Sequence, residues 1–355
     1  MIRQLGIMLC KEREKKKETQ KNVAEGIISI AELSRVECGE QEIDYFTLQA
    51  LFERLGKSID KLELAVSGGE YESISYRIEI ERSIETWDDK ALTKLLAQYY
   101  KCNSEKSPIH RQYKMAMEAM ACYVRGRDYT SCMHLMEQAL SVTQHRDWRQ
   151  MVRLGYFCNQ EIRIILAIIY CQWKLGETDG LIERLEQLGS CILHHYTDTE
   201  EQVKVYPYCA WLLGQLYLDQ NEPEEAYSVC KKGKKSLIEN GSLSPLWEIL
   251  ELEADCLERM GRCAELSQCR KYQEAVLFIY EAADTKFESN MMAAFMKSSF
   301  QGEFVITNEL VRDLREAQGI SQEVLCADVC TQETLSRIEQ GKRNPNKKKL
   351  YKLLK

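Results

Sequence analysis

Proline and glycine are scarce in this chain, at 5 and 18 of 355 residues, so long stretches lack the two residues that break helices. Histidine numbers only 5. His194-His195 stands in an expected loop before Asp198, Glu200 and Glu201, without metal-ligand spacing on a helix. No two of the 15 cysteines are spaced Cys-x-x-Cys, which removes the common zinc and thioredoxin-like motifs. Cys326 and Cys330 lie four apart with no histidine nearby. The cysteines read as reduced thiols used as small apolar core residues, which implies a reducing cytosol. The most apolar run, 164–170, is far shorter than the roughly 20 residues that span a bilayer. The first eleven residues lack the apolar stretch of a signal peptide. Ser67-Gly68-Gly69-Glu70 has no phosphate-loop lysine, and neither Gly-x-Ser-x-Gly nor a carboxylate pair stands out. The reading is a soluble cytoplasmic protein that is not an enzyme and calls for no metal or other cofactor.

The length suits two or three domains with substantial cores. A hydrophobic fraction of 45%, a charged fraction of 29% and the helix-permitting composition point to an all-α globular protein. The net charge of −7 argues against nucleic-acid binding over the whole surface, yet leaves room for a local basic patch.

One phrase occurs at both ends. Leu33-Ser34-Arg35-Val36-Glu37-Cys38-Gly39 matches Leu335-Ser336-Arg337-Ile338-Glu339-Gln340-Gly341 at an offset of 339 − 37 = 302. The same offset pairs Arg13 with Arg315, Thr19 with Ser321, Gln20 with Gln322 and Val23 with Leu325, without a gap. Two copies of one small helical module are therefore expected.

In the first copy, Leu5, Leu9 and Arg13 begin an amphipathic helix. Thr19 is an N-cap for the next helix, and Gly26 allows the turn after it. Ser29 with Glu32 reads as a capping box opening a third helix over 30–37, which Gly39 ends. In the second copy the expected first helix covers 309–318, with Leu310 and Leu314 inward. Ser321 and Thr331 cap the next two helices, and Leu335 and Ile338 turn inward.

These strings resemble the lambda-repressor-like (Xre/Cro-type) helix-turn-helix. That resemblance implies that Gln20 and Gln322 contact phosphate, and that early residues of the third helix enter the major groove of double-stranded DNA. In the first copy those are Ile30, Ala31, Ser34 and Arg35; in the second they are Gln332, Glu333, Thr334, Ser336 and Arg337. Gln, Arg and Glu can read adenine, guanine and cytosine, whereas Ile30 and Ala31 can at most touch a thymine methyl. The loop after the first copy's third helix is acidic (Glu40, Glu42, Asp44), but the second is followed by Lys342, Arg343, Lys347, Lys348, Lys349, Lys352 and Lys355. A basic edge there suits phosphates.

Val66-Ser67-Gly68-Gly69-Glu70 reads as a short linker. From Tyr71 to about Phe300 the chain carries helical periodicity, with room for about six helical hairpins. The clearest unit, 206–240, has Leu213-Gly214, Tyr217, Asn221-Glu222-Pro223, Ala226 and Gly233 in tetratricopeptide order. Residues 114–140 form a second unit, and 164–189 and 247–278 are weaker ones. A stack of such hairpins offers a concave surface for an extended peptide or a protein helix. Candidate ligand-binding residues there are Asn159, Arg163, Tyr208, Trp211 and Gln215.

The expected division is 1–66 for the first helix-turn-helix, 70–300 for the repeats and 304–355 for the second. Through the first three hundred residues this order is similar to the Rgg, PlcR and Rap-related regulators of Gram-positive bacteria. The resemblance implies a cytoplasmic transcription factor, commonly a homodimer, whose repeat domain binds a short signalling peptide. The second helix-turn-helix lies outside that pattern. Either both copies touch DNA, with the superhelix setting a spacing that must match about 34 Å between adjacent major grooves, or the acidic first copy packs or dimerises while the second reads. A repeat scaffold that uses both modules only for assembly is the alternative outside DNA binding.

Overall fold

The computed structural model describes residues 2–62, 64–103, 107–151, 156–283, 288–298, 304–343, 345 and 347–354. The class is all-α, as expected, with helices accounting for nearly all regular structure among these residues.

The first module contains α1 (Ile2–Lys15), α2 (Gln20–Ala24), α3 (Ile30–Glu37) and α4 (Tyr45–Arg54). Thr19, Ser29 and Asp44 cap the last three, each accepting a backbone N–H with its side chain. Ser29 forms only half of the expected box, because the Glu32 carboxylate accepts from Gln41 instead. The core is built around Leu9, Val23, Leu33, Phe46, Leu51, Phe52 and Leu55, all buried.

No linker follows. Leu64–Val66 form strand β1, and Ser67 opens α5 (Gly68–Glu85) through a capping box with Glu70. The repeats then run α6 (Asp89–Cys102), α7 (Pro108–Gly126), α8 (Tyr129–Ser141), a short α9 (Trp148–Met151), α10 (Asn159–Lys174), α11 (Leu181–His195), a short α12 (Thr199–Val203), α13 (Tyr206–Asp219), α14 (Pro223–Glu239), α15 (Leu246–Arg259) and α16 (Cys263–Ala282). Among the described residues these make five pairs of consecutive helices, against the six or so expected: α5–α6, α7–α8, α10–α11, α13–α14 and α15–α16. The two glycines of the clearest unit act as spacers. A Cβ on Gly214 would lie 2.6 Å from Leu252 Cδ2, and one on Gly233 3.2 Å from the Ala210 Cβ. His194 and His195 end α11 rather than sitting in a loop.

A six-residue helix, α17 (Met291–Met296), comes next, then strand β2 (Phe304–Ile306). β2 pairs in parallel with β1, Leu64 opposite Phe304 and Val66 opposite Ile306. The second module follows as α18 (Thr307–Ala317), α19 (Gln322–Cys326), α20 (Gln332–Glu339) and α21 (Lys347–Leu353). Its helix α18 starts two residues before the expected position and presents Asn308, Val311 and Arg315 inward, at i, i+3 and i+7. Leu314 is 41% exposed, not inward, and Leu310 is half-buried. Leu335 and Ile338 are fully buried, as expected.

Candidate functional site

The shared phrase builds the same polar knot in each module. Arg13 meets Glu37 through two hydrogen bonds (2.6 and 2.8 Å) and donates to the Glu18 carbonyl, while Gln20 Nε2 donates to Glu37 Oε2 at 2.8 Å. Arg315 meets Glu339 at 2.6 and 3.1 Å, donates to the Ile320 carbonyl, and Gln322 Nε2 donates to Glu339 Oε2 at 2.7 Å. Burial opposes ionisation of both glutamates, but the Arg and Gln donors outweigh it and hold both carboxyls below the ordinary value. Gln20 and Gln322, expected to contact phosphate, thus each give one amide hydrogen to the fold.

The two helices expected to enter the groove, α3 and α20, differ in what they show. On α20, Gln332, Glu333 and Arg337 are exposed while Thr334 and Ser336 are half-buried. Thr334 N–H is taken by the Thr331 cap. Lys342 and Arg343 are exposed just beyond the helix, and Lys352 is exposed on α21. The side chains of Lys347 and Lys348 and the whole of Lys355 lie outside the described residues. On α3, Ser34 is half-buried, Arg35 exposed and Ile30 50% exposed. Arg35 Nε donates to Gln41 Oε1 at 2.7 Å, and Gln41 donates to Glu32. The first copy's arginine is therefore held back by its own loop; at the position matching Gln41 the second copy carries Arg343, a like charge.

The first module is also built into the repeats, through α4. Arg54 Nη2 forms a fully buried ion pair with Glu161 of α10 (2.7 Å), and its Nη1 donates to the Val23 carbonyl (3.3 Å). Arg77 of α5 is stacked between the rings of Phe46 and Tyr113, 4.0 and 3.9 Å from their centroids. Lys57 pairs with Asp198 (3.0 Å) and Lys204 with Asp60 (2.7 Å). Gly26, at φ +76°, lies against the Thr143 carbonyl, where any Cβ would collide.

The second module rests on the first through a thinner seam. Gly68 N–H donates to Asn308 Oδ1 (2.8 Å), Asn308 Nδ2 to the Ile338 carbonyl (2.6 Å) and Thr307 to the Val66 carbonyl. Tyr45 stands edge-on to Phe304 at 5.2 Å. The ladder and Asn308, rather than the superhelix alone, relate the two modules.

The expected ligand-binding residues divide into two groups. Asn159 and Arg163 are not on an open groove, because the first module covers them. Asn159 N–H donates to Glu53 of α4 at 2.9 Å and its side chain to Glu201. Arg163 lines a cavity of ≈ 40 Å³ with Glu53, Arg77 and Lys204, room on the order of three waters and too small for a peptide. Tyr208 and Trp211 lie on α13 but are only 7% exposed, beneath Phe295 of α17. Gln215 is half-buried. α17 falls inside the 71–300 span expected to be helical, but nothing in the sequence marks it as a separate helix. Its only signal is the Met-Met-Ala-Ala-Phe-Met string, apolar but too short to show a period.

Burial raises the carboxyl pKa values at this joint. Glu81, which accepts from Ser298 N–H, is pushed up to about 7, and Glu53 is raised by burial and by Glu201. The native state thus holds protons on these groups above the ordinary 4.5, stability that is lost as pH rises through the folded values. His110 and His195, lowered by burial, act oppositely below their ordinary 6.5. The melting temperature should fall between roughly pH 6.5 and 8, and Glu81→Gln should flatten the lower part of that fall, up to about pH 7. An unchanged slope in thermal unfolding scans would remove Glu81 from this role.

Among the described residues no helix is long and apolar enough to cross a membrane. Residues 311–355 match the helix-turn-helix family HTH_3, which covers the second module. No curated protein matches the chain. Among solved structures, the chain is similar to Bacillus thuringiensis PlcR, determined in complex with the peptide PapR7 and DNA. The two are 19% identical with a TM-score of 0.50, over 79% of this chain and 96% of that one. A putative kinesin light chain of Podosopora anserina with nearly identical TPR-like repeats is similar at 13% identity and a TM-score of 0.41, over 60% of this chain and 97% of that one. At these identities the PlcR likeness establishes a shared fold: this chain has an all-α, PlcR-like arrangement, and its C-terminal module is a helix-turn-helix.

Proposed function

We propose that the chain is a cytoplasmic DNA-binding transcriptional regulator that reads duplex DNA with its C-terminal module and senses a ligand, a short peptide, with its repeat domain. The observation that carries this reading is the exposed face of α20. There Gln332, Glu333 and Arg337 sit over a complete helix-turn-helix core, with Lys342 and Arg343 beside them. These side chains can address base edges, and the two cations can address phosphates. The PlcR structure contains both a peptide and DNA, which supports the same two partners here. Dimerisation through the repeats belongs to the proposal too, since two-fold partners place two readers on one duplex.

The first module takes an anchoring role. Its α4 reaches the repeats through Phe46, Glu53 and Arg54, and Arg35 is tied to Gln41. That much of the assembly reading applies to the first copy, and not to the second. Selection from a random duplex pool tests the proposal. One sequence should be enriched, and its affinity should fall steeply with added salt, the log–log slope dropping by roughly one for each of Lys342 and Arg343 replaced by Ala. Recovery of a random pool would refute DNA reading.

A further inference from the structure

One segment of the chain touches the first helix of each of these five pairs. Asn290 caps α17 by accepting from Ala293 N–H (3.1 Å), and the same side chain meets Tyr123 Oη of α7 (3.3 Å) and the Ile84 carbonyl of α5 (3.4 Å). Phe295 stands edge-on to Tyr170 of α10 (5.7 Å) and to Tyr208 and Trp211 of α13 (6.1 and 6.3 Å). Ser289 donates to Glu248 of α15 (2.9 Å). At the other end Lys297 pairs with Glu85 and Ser298 N–H donates to Glu81, both at 2.8 Å. Met291, Met292, Ala293, Phe295 and Met296 are each no more than 5% exposed.

A six-residue helix is not stable alone, so the groove supplies the order of α17. The arrangement is that of a short helix bound in a groove, with the ligand on the same chain. Methionine side chains adapt to irregular surfaces and allow one occupant to replace another.

We propose that residues 289–298 are an exchangeable internal ligand of the repeat domain. The inner surface then takes a short peptide of the same chemistry: an amide N-cap, Met and Phe on the buried face, and a cation at the end. This rests on the reading of the repeats as a ligand-binding domain. β2 begins only eight residues after α17 ends (304 − 296). A peptide that displaces α17 therefore acts on the stretch of chain that ties the second module to the first.

A labelled peptide with the sequence of residues 288–298, titrated into the full chain, tests the exchange. In the wild type the tethered segment competes at an effective concentration in the millimolar range, so external peptide binds weakly. Phe295→Ala should bind the peptide at least tenfold more tightly, with tryptophan emission red-shifted before addition and restored after it. A folded variant that shows neither change overturns the proposal. Should Phe295→Ala unfold, hydrogen exchange of the wild type decides. Amides of α17 opening ahead of those in α10 and α13 support exchange; opening in step with α10 overturns it. The assay contains no DNA, so a chain that ignores duplexes leaves its result intact. A chain that reads DNA but holds α17 fixed refutes the exchange alone.

Discussion

Arg337→Ala is expected to weaken binding to a selected duplex roughly 5- to 150-fold, the range of one good base contact, while Arg35→Ala changes it less than about threefold. The two arginines occupy the same register, 302 residues apart, and follow the same helical phrase. Their surroundings differ. Arg35 is held by Gln41, which in turn holds Glu32, and the loop beyond carries Glu40, Glu42 and Asp44. Beside Arg337 stand Lys342 and Arg343, whose charges favour an anionic partner. The residues opening each helix point the same way, with Ile30 and Ala31 on α3 against Gln332 and Glu333 on α20. Fluorescence anisotropy with both variants on one duplex checks this, and equal losses would contradict the division of labour.

Removing one partner of the Arg54–Glu161 pair should have the largest effect on stability. Both side chains are essentially without solvent contact, at 1% and 0% exposure. Glu161 also accepts from Thr143 and Gln144, and Arg54 also donates to backbone carbonyls of the first module. Burial works against the Glu161 charge, and Arg54 overcomes it, leaving the carboxyl below its ordinary value. Glu161→Leu strands a buried guanidinium and is expected to cost about 3–5 kcal/mol, a fall in melting temperature on the order of 10 °C. Because the pair joins α4 to α10, the first module should loosen before the repeats do, seen as early proteolysis there. A change within about 1 kcal/mol would show that the pair does not hold the joint.

The doubled module was legible in the sequence because its repeated residues are structural. Arg13, Gln20 and Glu37, with their counterparts Arg315, Gln322 and Glu339, form one knot twice. The repeat units were legible for a similar reason. Small residues such as Gly214 and Gly233 occur where neighbouring helices leave no room for a side chain.

Contacts between distant segments were not legible. β1 finds its partner 240 residues later (304 − 64), and three residues carry no pattern that announces a strand. Asn159 and Arg163 sit at helix positions that suit a groove, but nothing local says that α4 will cover them. Tyr208 and Trp211 were placed on the inner face by their spacing, while α17, which covers them, is too short to show periodicity. Leu310 and Leu314 share a helical spacing that suits an inward face, but the buried face of α18 runs through Asn308 and Val311 and leaves Leu314 exposed.

Amide hydrogen exchange of the full chain, with and without a selected duplex, tests the unequal division of the two modules most directly. DNA should slow exchange across 322–343 and leave 20–37 unchanged. Equal protection of both stretches, or protection confined to 20–37, would contradict it.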